Sequence, residues 1–92
     1  MLTYWKYDVP IGVFELQMPA HSQITNVELQ AGVPRLWALV NPENPMTTRF
    51  FQVHGTGHML REFGDDWHSR HVATFQQPPF VWHLVERVYH AV

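Results

Sequence analysis

The sequence predicts an all-β fold, a small antiparallel β-sandwich or partly open barrel of six to seven short strands with little helix. Apolar and polar residues alternate with a period of two in several short runs, which is the pattern of half-buried strands. Seven prolines and five glycines fall between and around these runs, as is typical of small sandwiches and barrels. With 92 residues, 46 % of them apolar, the chain is expected to form one packed domain over 1–92.

The individual strands follow from this alternation and from the turn residues between them. The first run is rich in aromatic residues and ends at Pro10, and the second alternates cleanly through Phe14, Leu16 and Met18. In the third run the apolar phase changes near Thr25, which predicts a β-bulge there. The predicted strands cover 2–9, 13–18, 23–31, 35–40, 47–54, 70–75 and 80–88.

Two of these strands are apolar on both faces, and one long segment has no period. The runs 35–40 and 80–88 are therefore expected at central positions of a sheet, because both of their faces would be covered. The segment 41–45 contains two prolines and two asparagines and predicts a turn. The segment 59–69 has no clean period and is predicted to be a loop, with one helical turn capped by Asp65-Asp66 as the alternative, and 61–70 is the longest irregular stretch.

Composition and charge exclude several classes of function. The chain has no cysteine, which removes disulfides, zinc–thiolate sites and thiol nucleophiles and fits a reducing cytoplasm. Its net charge is −2 and its six basic residues are scattered, so we expect neither direct nucleic-acid binding nor phosphate mimicry. No segment approaches the roughly 20 apolar residues of a membrane span. We therefore expect a cytoplasmic, unprocessed protein without membrane contact.

Histidine is the one residue type in clear excess, with seven copies. A metal-dependent enzyme could use several of them, but no known ligand spacing such as H-E-x-x-H is present. Strand alternation places His83 on the face of Val81 and Val85, where a hydrogen-bonded core histidine is the more common case. We therefore predict no metal site and no catalytic residue, and the candidates for the alternative are His54, His58, His68 and His71.

The sequence Gly55-Thr56-Gly57-His58 resembles a phosphate-cradling turn only weakly, because no helix follows it. We interpret it as a tight strand exit that needs a positive φ at one glycine. The glycines would also let a ligand approach the backbone closely.

The 61–70 segment is the predicted binding region. Long loops often carry binding residues, and this one mixes arginine, tryptophan, histidine and aspartate, several of which are common in protein interfaces. The predicted contact residues are His58, Arg61, Asp65, Trp67, His68 and Arg70.

Four motifs carry a resemblance that covers roughly residues 6–86. They are R-L-W-A-L-V-N-P over 35–42, F-x-V-x-G-T-G-H over 51–58, A-T-F-Q over 73–76 and V-W-H-L-V-E over 81–86. Together they resemble a small family of uncharacterised phage and prophage proteins, from which the chain departs at residues 78–80 and by a longer 61–70 segment. The resemblance implies a phage origin, and small phage proteins often bind a protein of the bacterial host.

Three hypotheses of function follow. The first is a non-enzymatic module without a cofactor that binds a host protein and inhibits a bacterial defence system, in the manner of an anti-CRISPR protein. The surplus of aromatic residues, six Phe, four Trp and three Tyr, favours it because so small a core cannot hide them all. The second is a protein that sequesters a small ligand or nucleotide, expected as a homodimer. The third is the histidine-metal enzyme.

Overall fold

The computed structural model describes residues 1–61 and 63–90, and every regular element in these ranges is a β-strand. The prediction of an all-β fold is therefore confirmed. The described residues contain no helix of the length and apolarity that crossing a membrane would need. Seven strands follow one another along the chain: β1 (Thr3–Asp8), β2 (Gly12–Pro19), β3 (Gln23–Gln30), β4 (Val33–Val40), β5 (Met46–Gly55), β6 (Trp67–Gln77) and β7 (Phe80–Tyr89).

The strands form two antiparallel sheets that do not close into a barrel. One sheet has three strands in the order β1-β4-β3, and the other has four in the order β2-β5-β7-β6. The predicted central strands 35–40 and 80–88 correspond to β4 and β7, and both occupy central positions. Both have neighbours on both edges. β7 is buried on both faces over 84–87, whereas β4 alternates between buried residues on its core face and half-buried residues on its other face.

The core lies between the inner faces of the two sheets. β4 contributes Leu36, Ala38 and Val40 from one side, and β5 contributes Phe51 and Val53 from the other. Successive residues of a strand point to opposite faces, so every second side chain of these strands points into the core. Each fully buried side chain of this size stabilises the fold by about 1.5–3 kcal/mol.

The turns and bulges largely follow the sequence. The β3–β4 hairpin turns at Ala31 and Gly32, both with positive φ, of 50° and 80°. The predicted 41–45 turn is present, and the Asn41 side chain accepts a hydrogen bond from the Glu43 backbone N–H at 3.0 Å. The β3–β4 pairing shifts register between Ile24 and Asn26, which confirms the predicted bulge. A second shift, between residues 71 and 73 in β6, was not predicted.

The predicted loop is wrong for residues 67–69, because the strand predicted from residue 70 begins three residues earlier. β6 begins at Trp67, and Trp67 to Arg70 pair with β7 from Tyr89 to Glu86. These residues carry polar groups on both faces, which removes the apolar alternation that marks a strand in sequence. Pairing with β7 satisfies their backbone groups and makes them a strand.

Candidate functional site

The outer face of the four-stranded sheet carries large and polar side chains. Phe51 and Val53 of β5 point into the core, so Phe50, Gln52 and His54 point outward. The β5–β7 register places these three residues directly opposite Arg87, Val85 and His83 of β7, in that order.

The described residues of the connection between β5 and β6, 56–61 and 63–66, lie along this outer face and are called here the 56–66 loop. It turns at Gly57 with a φ of 84°, which confirms the positive φ predicted for one glycine of the Gly55–His58 sequence. The His58 backbone N–H donates to the Gly55 carbonyl at 3.0 Å and closes the turn. A Cβ at Gly55 would meet the His58 ring at 3.0 Å, so this glycine lets His58 fold back onto the strand.

Arg87 holds the 56–66 loop against the sheet. Its Nη1 donates to the Gln52 side chain at 3.0 Å and to the Arg61 backbone carbonyl at 2.7 Å. Its guanidinium carbon lies 3.7 Å from the centre of the Phe63 ring, within cation–π distance. The residue is only 5 % exposed. One arginine thus connects the sheet, the backbone of the loop and an aromatic ring of the loop.

Among the residues that the structure describes, the acceptors of Arg87 are all neutral. No carboxylate of residues 1–61 and 63–90 lies within ion-pair distance of its guanidinium, and its buried Nε has no hydrogen-bond partner there. Burial and, to a smaller extent, the charge of Arg61 lower the pKa of Arg87. Arginine nevertheless stays protonated in proteins. The outer face therefore holds a buried positive charge.

Phe63, which contacts this charge, belongs to a group of aromatic rings around Trp67. The Trp67 ring lies 5.4 Å from Phe50 in an edge-on arrangement, 6.3 Å from Phe63 and 5.2 Å from Tyr89, measured between ring centres. Phe50 is 37 % exposed and Tyr89 is 55 % exposed. These rings thus pack against one another, and Phe50 and Tyr89 are also exposed to solvent.

An open depression of about 710 Å³ lies between the 56–66 loop and the sheet. Five of the six predicted contact residues line it, namely His58, Arg61, Asp65, Trp67 and His68. The structure thus brings them together in one place. Phe63, Arg87 and His54 also line the depression and were not among the predicted residues.

Arg70, the sixth predicted residue, does not line this depression. Its Nη2 donates to Glu86 at 2.6 Å, and Glu86 also accepts two hydrogen bonds from Arg49, at 2.6 and 2.7 Å. Arg49 in turn donates to the Ser22 carbonyl at 2.6 Å. Burial raises the pKa of Glu86, but the hydrogen bonds and charges of Arg49 and Arg70 outweigh burial, and the pKa is lowered.

The histidines of the outer face contact hydroxyl groups and each other. The two ring nitrogens of His83 lie 2.7 Å from the Thr56 hydroxyl and 2.9 Å from the Thr74 hydroxyl. The ring centres of His54 and His71 lie 5.5 and 6.4 Å from that of His83. His83 is hydrogen-bonded as predicted, but it is half-buried on the outer face and not in the core. Within residues 1–61 and 63–90, no group of three or more metal-ligand side chains could hold an ion.

Sequence reasoning missed Arg87 because its role depends on a loop some 25 positions earlier in the chain. One signal was available. Glu86 and Arg87 are adjacent charges inside a strand that is otherwise largely apolar, V-W-H-L-V-E-R-V. Charged side chains in a covered strand need partners, so this pair indicates one polar site on each face.

These features define a small antiparallel β domain of two sheets, with a basic and aromatic depression on the outer face of one of them. Residues 1–91 match the model of the DUF7352 family, a domain of unknown function, and the chain belongs to this family. No curated protein and no solved structure matches the chain. The resemblance to an uncharacterised family is thus confirmed at that level, while the phage association stays a prediction.

Proposed function

We propose that this domain is a non-enzymatic interaction module that binds a protein of a bacterial host through the 56–66 loop and the adjoining outer face. The observation that carries the proposal is the exposure of Met59, which is 90 % exposed at the tip of an anchored loop. Leu60 beside it is 36 % exposed. An apolar pair presented to solvent in this way is typical of interaction surfaces.

The residue types around Met59 support the same function. Methionine, arginine and aromatic residues are enriched at protein interfaces, and this face presents Met59, Arg61, Phe50 and Tyr89. The contacts of Arg87 hold the loop in one place before binding. A loop that is already ordered loses less conformational entropy when a partner binds, which raises affinity.

We further propose that the host protein belongs to a defence system and that the chain comes from a bacteriophage, so that binding takes place in the cytoplasm of the bacterium. The resemblance to phage and prophage proteins supports the origin. Inhibition by contact needs neither a cofactor nor a catalytic group, only a rigid surface that blocks or holds its target.

The test is affinity capture from a lysate of the host bacterium with three versions of the protein: wild type, Met59→Glu and Met46→Glu. Both methionines are exposed, at 90 % and 53 %, but Met46 begins β5 while Met59 follows the end of that strand. The two substitutions therefore add the same charge at opposite ends of the four-stranded sheet.

We expect one host protein to be captured by wild type and by Met46→Glu and to be lost with Met59→Glu, because a charge at an interface core is costly to desolvate. Reconstitution of the complex from purified components would then give its stoichiometry. Equal capture by all three versions, or capture of nothing, would contradict the proposal.

A further inference from the structure

We infer that the depression under the 56–66 loop binds a small phosphorylated molecule, with Arg61 and Arg87 as its anion-binding groups. This inference does not depend on the proposed protein partner, since it arises from the charge inside the depression and not from the exposed loop tip.

The charges that line the depression favour an anion. Arg61 and Arg87 both line it, and Asp65 is the one carboxylate among the lining residues that the structure describes. Arg61 is exposed, and the acceptors of the buried Arg87 are neutral throughout 1–61 and 63–90. A buried cation without a counter-ion is unfavourable, so an anion that enters the depression would gain more from Arg87 than from an arginine in water.

Phosphate is the anion that matches these groups. Guanidinium groups offer several N–H donors in one plane and bind phosphate through paired hydrogen bonds. His54 and His58 also line the depression and add ring nitrogens that can donate when protonated. The volume of about 710 Å³ lies within the range of about 300–1,000 Å³ that is usual for small-molecule sites.

The aromatic lining decides between two sources of the phosphate. Trp67 lines the depression beside the arginines and is only half-buried, so a nucleobase could stack on its ring. Inorganic phosphate or pyrophosphate would use only the guanidinium groups. The two sources share the phosphate contact, and a titration separates them.

The experiment is a titration of the isotope-labelled protein, followed by NMR amide shifts, with adenosine monophosphate, pyrophosphate and adenosine as separate probes. Potassium chloride at matched ionic strength controls for general salt effects. The variants are Arg61→Gln and, as a matched control, Lys6→Gln, which removes an exposed cation from the three-stranded sheet.

We expect amide shifts confined to the 56–66 loop and the facing parts of β5, β6 and β7. Arg61→Gln should weaken binding about tenfold, the effect of losing one charged hydrogen bond, while Lys6→Gln should leave it unchanged. Tighter binding of adenosine monophosphate than of pyrophosphate assigns the site to nucleotides, and the reverse order assigns it to inorganic phosphates.

Three results would overturn the inference. They are no saturable shift with either phosphate probe at millimolar concentration, binding of adenosine as tight as that of its monophosphate, and equal weakening by both variants. Amide spectra of the free variants show whether each is folded, so a loss of binding can be assigned to the removed charge.

Discussion

Glu86 and Arg87 are neighbours in β7, almost equally buried at 6 % and 5 % exposure, yet their surroundings differ completely. Glu86 points into the space between the sheets and has two arginine partners. Arg87 points to the outer face and has a glutamine, a backbone carbonyl and a phenylalanine ring. Successive residues of a strand point to opposite faces, so two adjacent charges lie in different surroundings. Glu86 is neutralised by arginines in a closed network, whereas Arg87 has no anion among the described residues.

The difference shows how to tell a structural charge from one available to a ligand. The Glu86 network is complete, because its carboxylate accepts three short hydrogen bonds and each arginine in it has that carboxylate as a partner. Such a network joins β5, β6 and the turn before β3 to β7. The Arg87 arrangement lacks an anion among the described residues, and it lies at a depression that a ligand can enter.

The largest expected loss of stability comes from removing the carboxylate of the Glu86 network. Glu86→Gln should lower the free energy of unfolding by about 3–5 kcal/mol, because it leaves the partly buried Arg49 without its anion. Urea denaturation measures this. Asp8→Asn is the matched control, since the Asp8–Arg35 ion pair is exposed and should contribute about 0–1 kcal/mol. Similar losses in both variants would show that the Glu86 network is no stronger than a surface pair.

In the wild type, acidification should remove the stabilisation that the Glu86 carboxylate provides. The pKa of Glu86 is lowered by folding, so the folded protein keeps the carboxylate where the unfolded chain already binds a proton. The stabilisation is complete above the ordinary value of 4.5 and is lost as the pH falls through the folded-state pKa. The stability gap between wild type and Glu86→Gln should therefore narrow below pH 4.5. A gap that is constant down to pH 2–3 would contradict this assignment.

The contacts of Arg87 should contribute less to the free energy of unfolding than the Glu86 network, and they should mainly stabilise the 56–66 loop. Arg87→Met removes two charged hydrogen bonds but also a costly buried charge, so we expect a loss of about 1–3 kcal/mol, at or below that of Glu86→Gln. Amide hydrogen exchange should rise mainly in the 56–66 loop, whose backbone Arg87 holds at residue 61. Unchanged exchange in the loop would mean that other contacts anchor it.

The smallest effect is expected at Arg61. Arg87 binds the backbone carbonyl of this residue, and among the described residues the exposed Arg61 side chain contacts only the Phe63 ring, at 5.1 Å, so Arg61→Gln should lower the free energy of unfolding by at most about 1 kcal/mol. The measurement is the same urea titration. A large loss would show that the Arg61 side chain supports the loop, and the phosphate titration would then need a different variant.

Much of the candidate site could be predicted from residue types alone. His58, Arg61, Asp65, Trp67 and His68 lie close in sequence, so their meeting around one depression needed only a loop that turns back on itself. Arg70 was predicted with them and lies apart, because alternation along β6 directs it to Glu86 on the other face. Its position could not be predicted, because the register shift between residues 71 and 73 changes the phase of β6 and places Arg70 on the same face as the buried Phe75.

The sequence by itself determined the class of fold, because a two-residue apolar period and regularly placed turn residues are local properties of the chain. It also indicated that β4 and β7 are central, since both runs are apolar on both faces, and where β3 bulges, whereas the central position of β5 was not predicted. Tertiary structure alone decided that Arg87 meets residue 61 and Phe63, and that Glu86 meets Arg49. These contacts depend on the pairing of β7 with β5 and β6, and such pairing joins residues far apart in the chain, which no local pattern records.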